Sequence, residues 1–298
     1  MRLSPILLFT YKRLMHVKET VRSLQKNDLA KESELIIISD GPRSDKEMES
    51  VLSVREYIRT VSGFRNVSVV ERENNLGLAQ SIISGVTEFA NRHGRVIVLE
   101  DDMISSPYFL KFMNDGLDYY DNEENVISIH GYSFPVQGRL PETFFLKGAE
   151  CWGWATWKRG WDLFESDGKM LLAEILRRKV GKEFEFNGAY PYVKMLEDQT
   201  KGKNDSWAIR WSASAFLKGR LTLHPGRSLI RNIGTDESGT HCGKTDRYDV
   251  DVSREPVIVS GIPIEENRMA RKEIERYLRT LKPGFTAWAR GRIDRLLH

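Results

Sequence analysis

Glu100, Asp101 and Asp102 follow one another directly after an apolar run, residues 95–99 (RVIVL). Three adjacent carboxylates at the end of a buried strand repel one another unless a cation or a set of donor groups compensates them. A hard divalent ion, Mn²⁺ or Mg²⁺, does so when one or two carboxylates hold it and substrate phosphates complete its shell. The ion then neutralises charge on a departing diphosphate. A solvated acidic turn or a helix N-cap would use the same residues without any chemistry. Position favours the first reading, because ligands of open parallel sheets sit beyond the carboxyl ends of the strands.

Four short runs, residues 5–10 (PILLFT), 34–39 (ELIIIS), 67–71 (VSVVE) and 95–99, lack polar alternation, as strands buried on both faces do. Between them, Leu14, Val17, Val21 and Leu24 recur at helical spacing, as do Met48, Val51, Val54, Ile58 and Val61, and then Leu78, Ile82, Val86 and Phe89. Strands separated by single helices predict an α/β fold with a mostly parallel sheet, flanking helices and right-handed crossovers. Residues 10–13, 39–44, 74–78 and 100–103 should then converge on one crevice. Ser105-Ser106-Pro107 reads as the start of a helix over residues 108–120, followed by a strand over 126–130. The Trp- and Gly-rich stretch that follows reads as a second half packed on the first, giving segments 1–130, 131–250 and 251–298. In the last of these, residues 265–281 form an amphipathic helix candidate ended by Pro283-Gly284.

The run VIVLEDDMISSPYFLKFMN, preceded by ENNLGLAQSIISGV and followed by CWGWATWKRGW and NDSWAIRW, resembles bacterial glycosyltransferases of the GT-A fold, akin to family 2. The resemblance covers roughly residues 5–245, and the E-D-D segment is also similar to that of the N-acetylglucosaminyltransferase I group. It implies a Rossmann-like GT-A sheet, a nucleoside-diphosphate sugar donor with UDP expected, a divalent metal, and an acceptor hydroxyl on a glycan or lipid-linked glycan. Asp102 carries over as the metal ligand, with Glu100 and Asp101 as donor contacts. Thr10 and Arg13 lie on the donor side of the first strand. Asp40 carries over as the reader of the base, or alternatively as an Asx-turn residue before Gly41-Pro42. Asn75 and Gly77 resemble the family's N-x-G turn, where backbone approaches the donor, and a helix cap is the other reading. Trp152, Gly153 and Trp154 fall where the family forms its sugar and acceptor platform, whereas Trp157 and Trp161 are expected to be structural. Inverting transfer needs a carboxylate near the acceptor hydroxyl, and Glu150, Asp198 and Asp205 are available. Asp205 is favoured because Asp205-Ser206-Trp207 resembles the D-D-W segment that supplies the base in the N-acetylglucosaminyltransferase I group; capping a helix is its alternative role. Trp207 belongs with it on the acceptor side. The Gly-rich residues 234–243 suit a loop that closes over a nucleotide sugar. His241 within it contacts the diphosphate or completes the metal shell, or is an ordinary loop residue. His16 reads as a surface or core residue, and residues 130–132 as acceptor lining or simply a strand end.

A length of 298 residues with 40% hydrophobic and 29% charged residues bounds the chain to one large α/β domain or two compact ones. No apolar run approaches the ~18 residues of a membrane span, and two cysteines are too few for a disulfide framework, so a cytoplasmic location is expected. The net charge of +3 conceals nine Lys/Arg against three Asp/Glu from Arg268 to His298, which leaves residues 1–267 at −3. A nucleic-acid-binding body is therefore not expected. The basic tail suits either a peripheral contact with an anionic membrane or docking on the domain, with Ile274, Tyr277, Leu278, Leu281, Phe285 and Trp288 as its apolar groups. Sugar-nucleotide pyrophosphorylases, which need a Gly-rich loop after the first strand, are disfavoured by Thr10-Tyr11-Lys12-Arg13. A sugar- or nucleotide-binding protein without turnover is the remaining alternative.

Overall fold

The computed structural model describes residues 3–236 and 245–281. Strands β1 (Ile6–Thr10), β2 (Glu34–Ser39), β3 (Asn66–Glu71) and β4 (Arg95–Glu100) are parallel and lie in the order β3-β2-β1-β4. Helices α1 (Leu14–Gln25), α2 (Asp45–Ile58) and α3 (Leu78–His93) connect them. The period-2 alternation of side chains sorts each strand between two cores. Ile6, Leu8, Leu35, Ile37, Ile97 and Leu99 meet Val17, Val21, Leu24, Val54 and Ile58 of α1 and α2. Leu7, Phe9, Ile36, Ile38, Val96 and Val98 meet Ile82, Val86 and Phe89 of α3. β3 departs from the expectation of full burial, because it is the edge strand and its residues stay half exposed.

Beyond β4 the pattern changes. β5 (Met103–Ser105) leaves the sheet to pair antiparallel with β10 (Ile230–Asn232). After α4 (Phe109–Tyr119) come β6 (Val126–His130), β7 (Thr143–Lys147) and β8 (Trp154–Trp157). A helical stretch follows, made of α5 (Lys158–Trp161), α6 (Gly168–Arg178), α7 (Gly181–Phe184), α8 (Tyr192–Thr200) and α9 (Trp207–Leu217). It leads into β9 (Leu221–Pro225). β8 slots antiparallel between β4 and β6, β9 runs parallel to β6, and β7 closes the far edge antiparallel to β9. The result is one eight-stranded sheet, β3-β2-β1-β4-β8-β6-β9-β7, to which both halves contribute. It is an α/β, Rossmann-like layout, mostly parallel and flanked by helices.

The last described helix, α10 (Arg268–Thr280), is capped by Asn267, whose side chain accepts from the Ala270 amide at 2.9 Å. Its apolar stripe, Ala270, Ile274 and Leu278, is buried against Phe144 and Leu146 of β7 and against Phe186 and Ala189. Ile274 and Leu278 are thus spent on docking the helix and are not free to enter a membrane, which corrects that part of the expectation. Phe285 and Trp288 lie outside the described residues. No helix among the described residues is long and apolar enough to cross a membrane.

Candidate active site

The acidic triplet sits where β4 ends, and the cation that its charges demand comes first from the chain itself. Arg13, just after the neighbouring β1, donates Nη2 to Asp101 Oδ1 and to Asp102 Oδ2, the latter at 2.7 Å. Thr20 of α1 ties the turn down, donating Oγ1 to the Asp101 carbonyl at 2.7 Å and accepting from the Met103 amide at 3.1 Å. On the other side the Ile233 amide donates to the Asp102 carbonyl at 2.9 Å. A Cβ on Gly234 would stand 2.1 Å from Asp102 Oδ2, so only glycine lets the chain pass this closely. The loop expected to close over a donor therefore starts against the acidic corner. His241 lies outside the described residues. Two buried polar atoms at this corner, Asp102 Oδ1 and Arg13 Nη1, have no hydrogen-bond partner among the described residues.

Burial, with the charges of Asp102 and Asp101 added, pushes the Glu100 carboxyl up. Burial also pushes Asp101 up, while Arg13 pulls the other way. For Arg13, burial favours losing the proton, but the two aspartates outweigh it and hold the guanidinium charged. His16, one turn along α1 from Arg13, faces the same corner and places Nε2 3.2 Å from Asp236 Oδ2. Sequence reasoning missed its part in the site; the signal was its spacing of three from Arg13. A divalent ion fits this corner in one way. Among the described residues no group of three His, Cys, Asp or Glu side chains could hold a metal by itself. Asp102 Oδ1, a buried carboxylate oxygen with no partner among the described residues, offers a single hard ligand, and the rest of the shell would be phosphate and water oxygens.

The strand ends around β1 and β2 are built differently. Asp40 is buried, and its carboxylate accepts from the amides of Gly41, Leu76 and Gly77 at 2.9 to 3.2 Å and from Asn75 Nδ2 at 3.1 Å. Asn75 Nδ2 also donates to the Gly41 carbonyl at 2.8 Å. Both oxygens of Asp40 are thus engaged by the chain's own donors. These bonds fasten the β2 loop to the start of α3, in keeping with the turn alternative for Asp40. Gly77, at φ +75°, takes a conformation that glycine favours and leaves open space above it, with Leu76 and Leu78 exposed on either side. Thr10 is buried at the β1 terminus and its hydroxyl donates weakly to the Ile38 carbonyl at 3.4 Å, so it too serves the sheet.

The expected aromatic platform divides in two. Trp154 is fully buried, its ring 5.5 Å from that of Trp207 and 5.8 Å from that of Trp211, with Trp161 completing the cluster. Trp154 and Trp207 therefore form core between β8 and α9, and offer no face to a sugar. Gly153 is buried at φ +62°, where a Cβ would collide with Ile230, so it is a packing glycine. Trp157 is buried as well. Trp152 alone of this group stays partly open, edge-on to Tyr132 at 4.8 Å and to Tyr248 at 5.6 Å. Glu150 stands two residues before it, and burial pushes its carboxyl up to about 7. Asp205 lies just before α9, its side chain 69% exposed and paired with Arg210 at 3.2 Å. Ser206 caps the helix by accepting from the Ile209 amide. Asp198 is held by Lys194 and Lys203 on the surface of α8. His130 is a buried strand-end residue facing His224, Nδ1 to Nδ1, at 3.3 Å.

No protein-family profile matches the chain, and no curated protein matches it in sequence. Among solved structures it is similar to TarS of S. aureus at 20% identity, over 50% of this chain and 25% of that one, with a TM-score of 0.33. The chain thus spans about a quarter of that relative's length. It is also similar to the mannosyltransferase PcManGT of Pyrobaculum calidifontis, solved with GDP-Man and Mn²⁺, at 10% identity over 74% of this chain and 70% of that one, with a TM-score of 0.35.

Proposed function

We propose that this protein is a metal-dependent inverting glycosyltransferase that moves a sugar from a nucleoside-diphosphate donor, UDP-linked in the first instance, to a glycan or lipid-linked glycan hydroxyl. The observation that carries the reading is the buried Oδ1 of Asp102, unpartnered among the described residues and set beside a charged Arg13 at the carboxyl end of a parallel strand. A divalent ion bound there would supply Lewis-acid stabilisation of the leaving diphosphate. Asp102 would hold it, while Arg13 Nη1, buried and unpaired among the described residues, would donate to a diphosphate oxygen. Asp101 keeps Arg13 aimed. Glu150 and Asp205 are the carboxylates available for the acceptor's proton.

Calorimetry with UDP, with GDP and with Mn²⁺ tests this on the wild type and on Asp102→Asn. We expect nucleotide binding that EDTA removes from the wild type and that Asp102→Asn loses at least tenfold. Equal affinity in both proteins, with no effect of EDTA, would take Asp102 out of the site. Where turnover is found, the product anomer read by NMR must be inverted; a retained configuration would contradict single displacement.

A further inference from the structure

Glu150 lies in the connection between β7 and β8, at the start of the segment that ends on Trp152. Among the described residues its carboxylate has neither a cation nor a hydrogen-bond donor, and it remains partly open to solvent. Its neighbours are aromatic. The phenols of Tyr132 and Tyr192, already raised by burial, lie close enough for its charge to push them further. Trp152 meets Tyr132 and Tyr248 edge to face, and the Tyr132 hydroxyl donates to the Tyr248 carbonyl at 3.0 Å, which fixes the cradle. This cradle is joined to the acidic corner through β10. Ile230 packs on Gly131 and Gly153, while Ile233, just past the strand, donates to Asp102. On the other side Cys151 and Ala208 both pack on the tryptophan core, which brings the connection to the start of α9.

Asp205 differs in every respect that matters to a base. It is exposed to water, and its charge is already answered by Arg210, itself nearly buried. A proton acceptor works best with unengaged lone pairs and with basicity near the operating pH. Burial without a partner gives Glu150 both.

Building on the transferase reading, we propose that Glu150, rather than Asp205, takes the acceptor hydroxyl's proton, and that the acceptor is a pyranose resting on Trp152. In the step, the acceptor oxygen forms a bond to the anomeric carbon as the bond from that carbon to the diphosphate oxygen breaks. The diphosphate keeps the electron pair, and the hydroxyl proton passes to a Glu150 carboxylate oxygen.

The test uses the full chain with Mn²⁺ and a panel of UDP-N-acetylglucosamine, UDP-glucose and GDP-mannose, with water as acceptor and released nucleotide as the signal. We expect Glu150→Gln to lower kcat about 10²-fold or more at unchanged nucleotide affinity, and to lose at least tenfold more than Asp205→Asn does. The wild-type rate should fall on the acid side of about pH 7, the limb vanishing in Glu150→Gln and returning in part, shifted to acid, in Glu150→Asp. A Glu150→Gln rate within tenfold of wild type, or an acid limb unchanged in it, would overturn the assignment while leaving the transferase reading intact. If no member of the panel is bound or hydrolysed by the wild type, the transferase reading falls and takes this assignment with it.

Discussion

Asp40 and Asp102 stand at the same edge of the sheet, one after β2 and one after β4, with β1 between. Both are buried, yet they do opposite work. Asp40 gathers three backbone amides and an Asn side chain, and nothing of it is left over. Asp102 gives one oxygen to Arg13 and keeps the other without a partner among the described residues. An ionised carboxylate with all its acceptor sites used is a fastener, because burial without donors costs far more than the bonds return. One left half-satisfied beside a fixed cation is a site waiting for a third party.

The largest effect that could break this contrast is expected at Arg13. Arg13→Met leaves two nearly buried carboxylates without their cation and should cost about 3 kcal/mol or more of stability in urea unfolding. Mn²⁺ should restore more stability to this variant than it adds to wild type, since the metal then replaces the lost charge. Equal gains in both proteins would mean that the corner does not bind the ion. Next comes Asp40→Ala, which strips the partner from the Leu76 and Gly77 amides and should cost about 2 kcal/mol. Nucleotide-free Mn²⁺ should stabilise this variant as it does wild type. A Mn²⁺ response lost along with Asp40 would show that the two carboxylates are not separate in function.

The smallest effect concerns pH, away from both aspartates. Burial holds His130 well below its ordinary value of 6.5, with His224 adding to the shift, and burial alone lowers His224 to about 3. Both rings then bind protons in the unfolded chain before the folded one does. Their contribution to stability is whole above pH 6.5 and is lost as the pH falls toward the folded values, by up to about 1.4 kcal/mol per unit and per histidine. His224→Gln should flatten the dependence of unfolding free energy between pH 6.5 and 5 by roughly that amount per unit. An unchanged slope would mean that the His130–His224 pair does not set the acid sensitivity.

The parallel strands were legible because a strand buried on both faces writes itself as an uninterrupted apolar run, and β2 falls where residues 34–39 put it. β8 was not. Its four residues, WATW, look like an aromatic surface until Trp207 and Trp211 arrive from α9 to cover them, and no local pattern announces a partner some fifty residues away. Asp40 was legible only in part, for a related reason. Its turn chemistry was visible beside Gly41, but the amides that fill it come from residues 76 and 77. The acidic triplet itself demanded a positive partner, and Arg13 already provides part of it.

The placement of β8 between β4 and β6 also has a consequence during synthesis. Once Glu100 has left the ribosome, β1 to β4 can pair in parallel, but the far side of β4 offers its unpaired amides and carbonyls to any other chain. The strand that covers it, Trp154–Trp157, is made about fifty residues later, which at common elongation rates is a delay on the order of 3–10 s. The nascent chain thus carries an apolar, ribbon-like edge through that interval, so slow codons between residues 101 and 153 would lengthen the time in which that edge can pair with another chain.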